Sequence, residues 1–163
     1  TAGRGAEKLP DLAALDQFLS TYGWTGSREH TLAELRSVHD LRPRLRRIWE
    51  ADEDEVVSIV NTLLRESRAL PQLVSHDGWP YHLHATPSDA PLARRMAVEA
   101  AMAFVDVVRE RQLNRLRMCE FPGCDNVVMD LSKNRSKRFC DAGCGNRAAV
   151  TAYRARKAEA SRP

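Results

Sequence analysis

Apolar positions recur at helical spacing through most of the first 110 residues. Residues 11–20 (DLAALDQFLS) read as a short helix, ended by Tyr22-Gly23 with the glycine as a C-terminal cap. Thr31 and Glu34 make a capping-box pattern, in which each side chain satisfies a free amide of a first helical turn. Leu32, Leu35, Val38, Leu45 and Ile48 then keep one stripe. Pro43 lies inside it and is expected to kink or interrupt the helix, because it lacks a donor and crowds the preceding turn. The acidic run 51–55 (ADEDE) suits a helix N-terminus, where the dipole favours negative charge. Val56, Val60, Leu63, Ser67 and Leu70 carry the next helix to Pro71.

The pattern changes at residues 71–87. Pro71–His76 and Trp79–Thr86 flank Asp77-Gly78, a dipeptide favoured in two-residue type I′ hairpin turns. In that register Val74, His76, Trp79, Tyr81 and Leu83 share one face. His82 and His84 share the other, roughly 6–7 Å apart. A long helix follows from about Ser88 or Ala90, with Leu92, Met96, Ala100, Ala103, Phe104 and Val107 as its buried stripe. Its last turns become basic and run directly into Cys119. No period of 20–50 residues recurs, and no low-complexity stretch is present.

A length of 163 residues supports one modest core plus a small satellite module. No apolar run approaches the roughly 18 residues that span a bilayer, and no secretory signal pattern is present, so a cytoplasmic protein with no membrane partner is expected. The chain opens at Thr1 rather than Met, and an upstream segment is expected. The net charge of +3 conceals an asymmetry: residues 1–108 carry −4 and residues 109–163 carry +7. A basic C-terminal third on an acidic body is the electrostatic footprint of a polyanion partner, although a solvated tail has the same composition.

All four cysteines lie within 26 residues: Cys119, Cys124, Cys140 and Cys144, spaced C-x4-C-x15-C-x3-C. In a reducing compartment disulfides do not persist, which leaves metal ligation as the leading account. Two close pairs separated by a folded-back spacer suit one tetrahedral, structural Zn2+, better than a redox-active thiol pair or an iron–sulfur cluster. Four thiolates fill the shell, which argues against hydrolytic chemistry at the ion. Asn126–Met129 reads as a strand, Ser132–Ser136 as a turn and Lys137–Phe139 as a return strand. Residues 145–158 (GNRAAVTAYRARKA) read as a helix. Asn146, Arg147, Val150, Thr151, Arg154 and Lys157 fall on one half, suited to base edges and phosphates. Ala148, Ala149, Ala152 and Ala155 fall on the other and are expected to pack on the zinc hairpin. Lys133, Arg135, Lys137 and Arg138 are expected to hold flanking phosphates. RNA is a weaker partner, since only Tyr153 is offered for base stacking.

The stretch Arg135–Lys157 (RSKRFCDAGCGNRAAVTAYRARK) resembles the CGNR zinc finger, named for Cys144-Gly145-Asn146-Arg147. Cys119, Cys124 and the MDLSKNRSKRFC run fit the same finger. The helix–hairpin–helix order, the WPYHLH segment at Trp79–His84 and the long helix into the finger make the body resemble the ABATE domain, a stress-induced transcription regulator domain that usually precedes it. The resemblance implies a mostly bacterial family that binds DNA through the basic finger. The family's usual apolar opening, of the type LDLVNT, is not in this sequence, and Met129 stands where an aromatic residue is commoner.

The expected architecture is therefore mainly α with a β-hairpin (α+β). An N-terminal helical domain occupies 1–117 and a small treble-clef-like zinc finger 118–163. The expected function is DNA-binding transcription regulation, with the body sensing or assembling. A zinc-stabilised protein-interaction module and a redox-responsive zinc switch are the alternatives. His76, Trp79, Tyr81, His82 and His84 are a candidate ligand or second-metal site, against the simpler reading of ordinary histidines on a partly covered sheet. A small-molecule effector, a protein partner and a homodimer are open. There is no G-x-S-x-G, P-loop or H-E-x-x-H pattern, and an enzyme is not expected.

Overall fold

The computed structural model describes residues 7–75, 78 and 80–160. They fall into two compact units divided between Leu113 and Asn114. The first unit runs α1 (Leu12–Thr21), α2 (Leu32–Arg46), α3 (Glu53–Glu66), a two-stranded sheet β1 (Gln72–Val74) and β2 (His82–His84), and α4 (Leu92–Arg109). The second holds β3 (Leu116–Met118), β4 (Val127–Met129) and α5 (Cys144–Ala160). The architecture is mainly helical with two small antiparallel hairpins, an α+β fold. Among the described residues no helix is long and apolar enough to cross a membrane.

Each early helix starts where a short polar side chain meets an apolar run. Asp11, Thr31 and Asp52 each accept from the amide three residues on, at 2.8, 3.1 and 2.9 Å. The capping box at Thr31 is half realised. Glu34 reaches past the cap to the amides of Glu29 and His30 and to Arg28 Nε, where three donors compensate burial of its carboxylate.

The core forms where α4 packs against α2 and α3. Leu35, Val38 and Leu41 supply the second helix's side, Ile48 the turn after it, and Val56, Val60 and Leu63 the third helix's. Leu32, expected inside, is exposed, as the stripe turns toward Leu41. α2 continues through Pro43 to Arg46 and then tightens into a 3-10 turn over Arg47–Trp49. Pro43 removes one rung of the ladder, the bond to the His39 carbonyl, and only the last turn of the helix lies beyond it. α3 ends at Glu66, and Arg68 adopts φ +47, which turns Leu70 out to solvent. On α4 the buried stripe is Leu92, Met96, Ala97, Val98, Ala101, Phe104 and Val107, whereas Ala103 is exposed.

One buried cation was not foreseen. Arg95 on α4 donates to the carbonyls of Ala90 (2.9 Å) and Ser27 (2.6 Å) and to that of Thr25, tying the loop after α1 to the start of α4. Gly26 (φ +88) sits against it, where a Cβ would lie 2.6 Å from the guanidinium and from Ser88 O.

The first hairpin departs from the expected register. Val74 pairs with His82, Leu73 with Leu83 and Gln72 with His84. Val74 therefore shares the histidine face, and Leu73 and Leu83 project together from the other. A slip of one residue exchanges the faces. His76, Asp77 and Trp79, and with them the core of the expected type I′ turn, lie outside the described residues.

Candidate metal centre and nucleic-acid interface

The second unit is built around its four cysteines. β3 pairs with β4, Leu116 opposite Met129 and Met118 opposite Val127. The two strands flank the first cysteine pair, so the hairpin lies earlier than the expected 126–139. Lys137–Phe139 forms no strand; it returns against the knuckle through the Glu120 amide, which donates to Arg138 O at 3.0 Å. Gly123 (φ +71) shapes the knuckle, and the Cys119 amide closes it on Asn126 O at 2.9 Å. Cys140 precedes the turn at Gly143 (φ +77), and Cys144 is the first residue of α5.

The ligating atoms of all four cysteines lie within 4.8 Å of one another. Cys124 Sγ is 3.8 Å from Cys140 Sγ, which is 3.5 Å from Cys144 Sγ. Four sulfurs about 2.3 Å from a central ion at tetrahedral angles stand about 3.8 Å apart. The donor set and spacing fit one zinc ion. Cys119, Cys144 and Val128 are buried, and Phe121 and Phe139 pack on them, giving the site an apolar shell.

N–H donors surround the sulfurs. The Cys140 amide lies 3.3 Å from Cys119 Sγ, Asn126 Nδ2 lies 3.2 Å from Cys140 Sγ, and Arg147 Nη2 lies 2.9 Å from Cys144 Sγ. Four thiolates around a dication leave two net negative charges, which such donors delocalise. Without the ion the thiols titrate unequally. Burial pushes Cys144 up to about 12, helped by Cys140 and Cys124 and opposed by Arg147. Burial also works to raise Cys140, but Asn126, the Ala142 amide and the neighbouring thiols outweigh it and bring it down to about 6.

Arg147, an expected DNA contact, is exposed, and its guanidinium faces Cys144 and lies 4.8 Å from the centre of the Phe121 ring, a cation–π geometry. The other basic candidates divide. Lys137 pairs with Asp141 (2.9 Å) and Arg138 with Glu120 (2.6 Å), exposed ion pairs of the kind that exchange readily for other anions. Lys133 and Arg135 stand on the loop between β4 and Cys140, Arg135 at φ +51. Asn146, Thr151, Arg154 and Lys157 are exposed on α5, with Thr151 Oγ1 donating to Arg147 O at 2.9 Å. Every residue from Ala149 to Ala160 is exposed, so Ala149, Ala152 and Ala155 do not pack on the hairpin as expected. That segment is a helix solvated all round, and Arg156, which sequence reasoning left out, is as accessible as Arg154.

The basic loop has its own anchor, also missed. Asp130 is fully buried and its carboxylate accepts from Ser132 Oγ (2.6 Å), the Ser132 amide (2.9 Å) and the Lys137 amide (2.9 Å). The Ser132 hydroxyl bond, against the opposing effect of burial, leads in holding its pKa below the ordinary carboxylate range. Arg115 Nη1 donates to the carbonyls of Asp130 (2.8 Å) and Ser132 (3.1 Å). Asp followed two residues on by Ser is an Asx-turn signal that the sequence does carry.

In the first unit His82 and His84 come together, with Tyr81 exposed beside them; His76 and Trp79 lie outside the described residues. An open cleft of about 280 Å³ between α2, α3 and α4 has a largely paired charged lining: Arg44 with Glu66 at 2.5 Å, and Arg94 with the Ser67 carbonyl.

Two family models match the chain. One, the CGNR zinc finger, covers residues 115–157. The other, ABATE, described as "Putative stress-induced transcription regulator", covers residues 1–111. No curated protein matches it.

Proposed function

Since this chain belongs to the ABATE family and ends in a CGNR zinc finger, we propose that it regulates transcription by laying α5 on duplex DNA. Cys119, Cys124, Cys140 and Cys144 hold one structural zinc ion, and the helical unit serves sensing or assembly. The chain then carries out no catalytic step and works in the cytoplasm with the DNA.

One observation carries this reading: Cys144 is both a candidate zinc ligand and the first residue of a helix whose outer 12 residues touch solvent on every side. A free helix of that length is marginal in water, because its first turn must be fixed before later bonds form. Ligation at Cys144 fixes that turn. Ala, Arg and Lys, all good helix formers, then propagate it without a packing partner. The result is a narrow basic rod with small alanines between its charges, which a major groove can admit from either side.

In this reading Asn146, Thr151, Arg154 and Lys157 face the bases and the nearest phosphates, with Arg156 on the adjoining strand. Lys133 and Arg135 reach the flanking backbone. Lys137 and Arg138 exchange Asp141 and Glu120 for phosphate. Fluorescence anisotropy of the zinc-loaded full chain on a mixed-sequence duplex tests this. Neutralising four or five phosphates predicts a slope of log K against log salt of about −4. Affinity that is flat from low to high salt contradicts it.

A further inference from the structure

We propose that His82 and His84 form a second metal site in this chain, a two-imidazole chelate for a divalent transition-metal ion of the Ni2+ or Cu2+ kind.

The two residues alternate on β2 and so project from one face. Their Nε2 atoms are 3.0 Å apart. The far nitrogen of His82 is already committed: Nδ1 lies 2.8 Å from the carbonyl of Pro80. A carbonyl only accepts, so Nδ1 carries the hydrogen and the neutral ring presents a lone pair at Nε2. A backbone carbonyl on the distal nitrogen is the usual device that fixes the tautomer and rotation of a metal-bound imidazole. Pro80 thereby aims His82 at the point that His84 also faces.

Without a metal, one hydrogen shared between the two Nε2 atoms holds the pair together. A cation takes the place of that hydrogen, which belongs to His84 Nε2 and passes by exchange with water to Nδ1 of the same ring, so that both Nε2 lone pairs face the ion. Bonds of about 2.0–2.1 Å at a right angle put two nitrogens about 3 Å apart, whereas a tetrahedral ion spreads them to about 3.4 Å. The hydrogen-bonded pair already stands near the spacing of adjacent positions on an octahedral or square-planar ion, and imidazole donors suit Ni2+ and Cu2+, which stand high in the first-row affinity order.

The surroundings are compatible. Both rings are half-buried, and Val74 and Gln72 are their cross-strand neighbours on the same face. Glu99 on α4 is exposed, yet partial loss of solvation raises its carboxyl pKa, while Arg95 and then His82 act to lower it. This places a carboxylate within electrostatic reach of His82. Among the described residues only the four cysteines gather three or more ligands closely enough to enclose an ion. Among the described residues the histidine site therefore supplies two protein ligands. The inference stands whether or not α5 binds DNA.

The test is calorimetric titration of Ni2+ into the untagged, zinc-loaded full chain, with zinc content measured in the same sample. One Ni2+ per chain is expected, with zinc retained. His82→Ala and His84→Ala should each weaken binding by about tenfold or more. His30→Asn, on an exposed turn at φ +53, should leave it unchanged. Because a variant can shift the hairpin, a second measurement uses the unmodified chain: Ni2+ should broaden the ring NMR signals of His82 and His84 first. Absence of a binding heat, unchanged affinity in both alanine variants, uptake only at the expense of zinc, or broadening that begins elsewhere each overturns the proposal.

Discussion

Arg147 Nη2 donates to Cys144 Sγ across 2.9 Å, less than one helical turn from the start of α5. The arginine of the CGNR signature thus belongs first to the metal centre. It balances thiolate charge on one side and covers Phe121 on the other. Removing a partner that orients a metal ligand typically costs about 10- to 100-fold in metal affinity. Arg147→Ala should therefore lose zinc to a chelator at least about tenfold more readily, and Arg147→Lys should fall between, because it restores charge without the planar donor. Competition against a zinc indicator measures this; equal retention in all three proteins removes Arg147 from the centre.

The basic residues of α5 and of the loop before Cys140 should divide by role. Arg154→Ala should lower discrimination between a selected site and a scrambled one by about 1–3 kcal/mol, while Lys137→Ala should weaken both sites alike. Site enrichment followed by anisotropy on both duplexes separates them. An Arg154→Ala protein with undiminished discrimination would remove that residue from base readout.

Asp130 is the joint between the zinc hairpin and the basic loop. Asp130→Ala leaves the Ser132 and Lys137 amides without their buried acceptor. Hydrogen exchange at those two amides should accelerate about tenfold or more while one zinc per chain is kept. Asn in its place retains an acceptor and should give an intermediate rate. Exchange at the native rate in the alanine protein would show that Asp130 does not anchor the loop.

The sequence made the helical body and the metal centre legible for one reason: local chemistry decides both. Asp11, Thr31 and Asp52 cap helices through hydrogen bonds three residues long, and the four cysteines announce a ligand set by spacing alone. What it hid depends on contacts far along the chain. Arg95 finds carbonyls nearly 70 residues away, and a guanidinium on a helix face does not reveal whether it will meet a phosphate or a sulfur. The hairpin register was hidden because Asp77-Gly78 signals a two-residue turn locally, whereas the pairing of Val74 with His82 lies one residue out of the register that such a turn sets. The alanine face of α5 misled because small residues permit packing without requiring it.

Glu7 links stability to pH. Its carboxylate accepts from the Leu9 amide at 2.7 Å and from Arg42 at 2.8 Å, and these, the amide first, lower its pKa from 4.5 to about 2. A depressed folded-state value stabilises the fold above the ordinary carboxylate range, and the gain disappears as pH falls toward about 2. Glu7→Gln should be modestly less stable than the native chain near neutral pH, since the ion pair is partly solvated. The gap should close between pH 4.5 and about 2. Denaturant melts across that range check the sign; a gap that widens in acid contradicts it.

The most direct measurement is the zinc content of the full chain and of Cys140→Ser, read beside an amide NMR spectrum of each. One zinc ion per native chain is expected. Cys140→Ser should hold none, with the signals of residues 114–160 collapsed to unfolded positions and those of 7–113 in place, because a unit this small lacks the core to fold without its metal. A metal-free chain whose C-terminal signals stay dispersed and whose α5 stays protected would contradict the account.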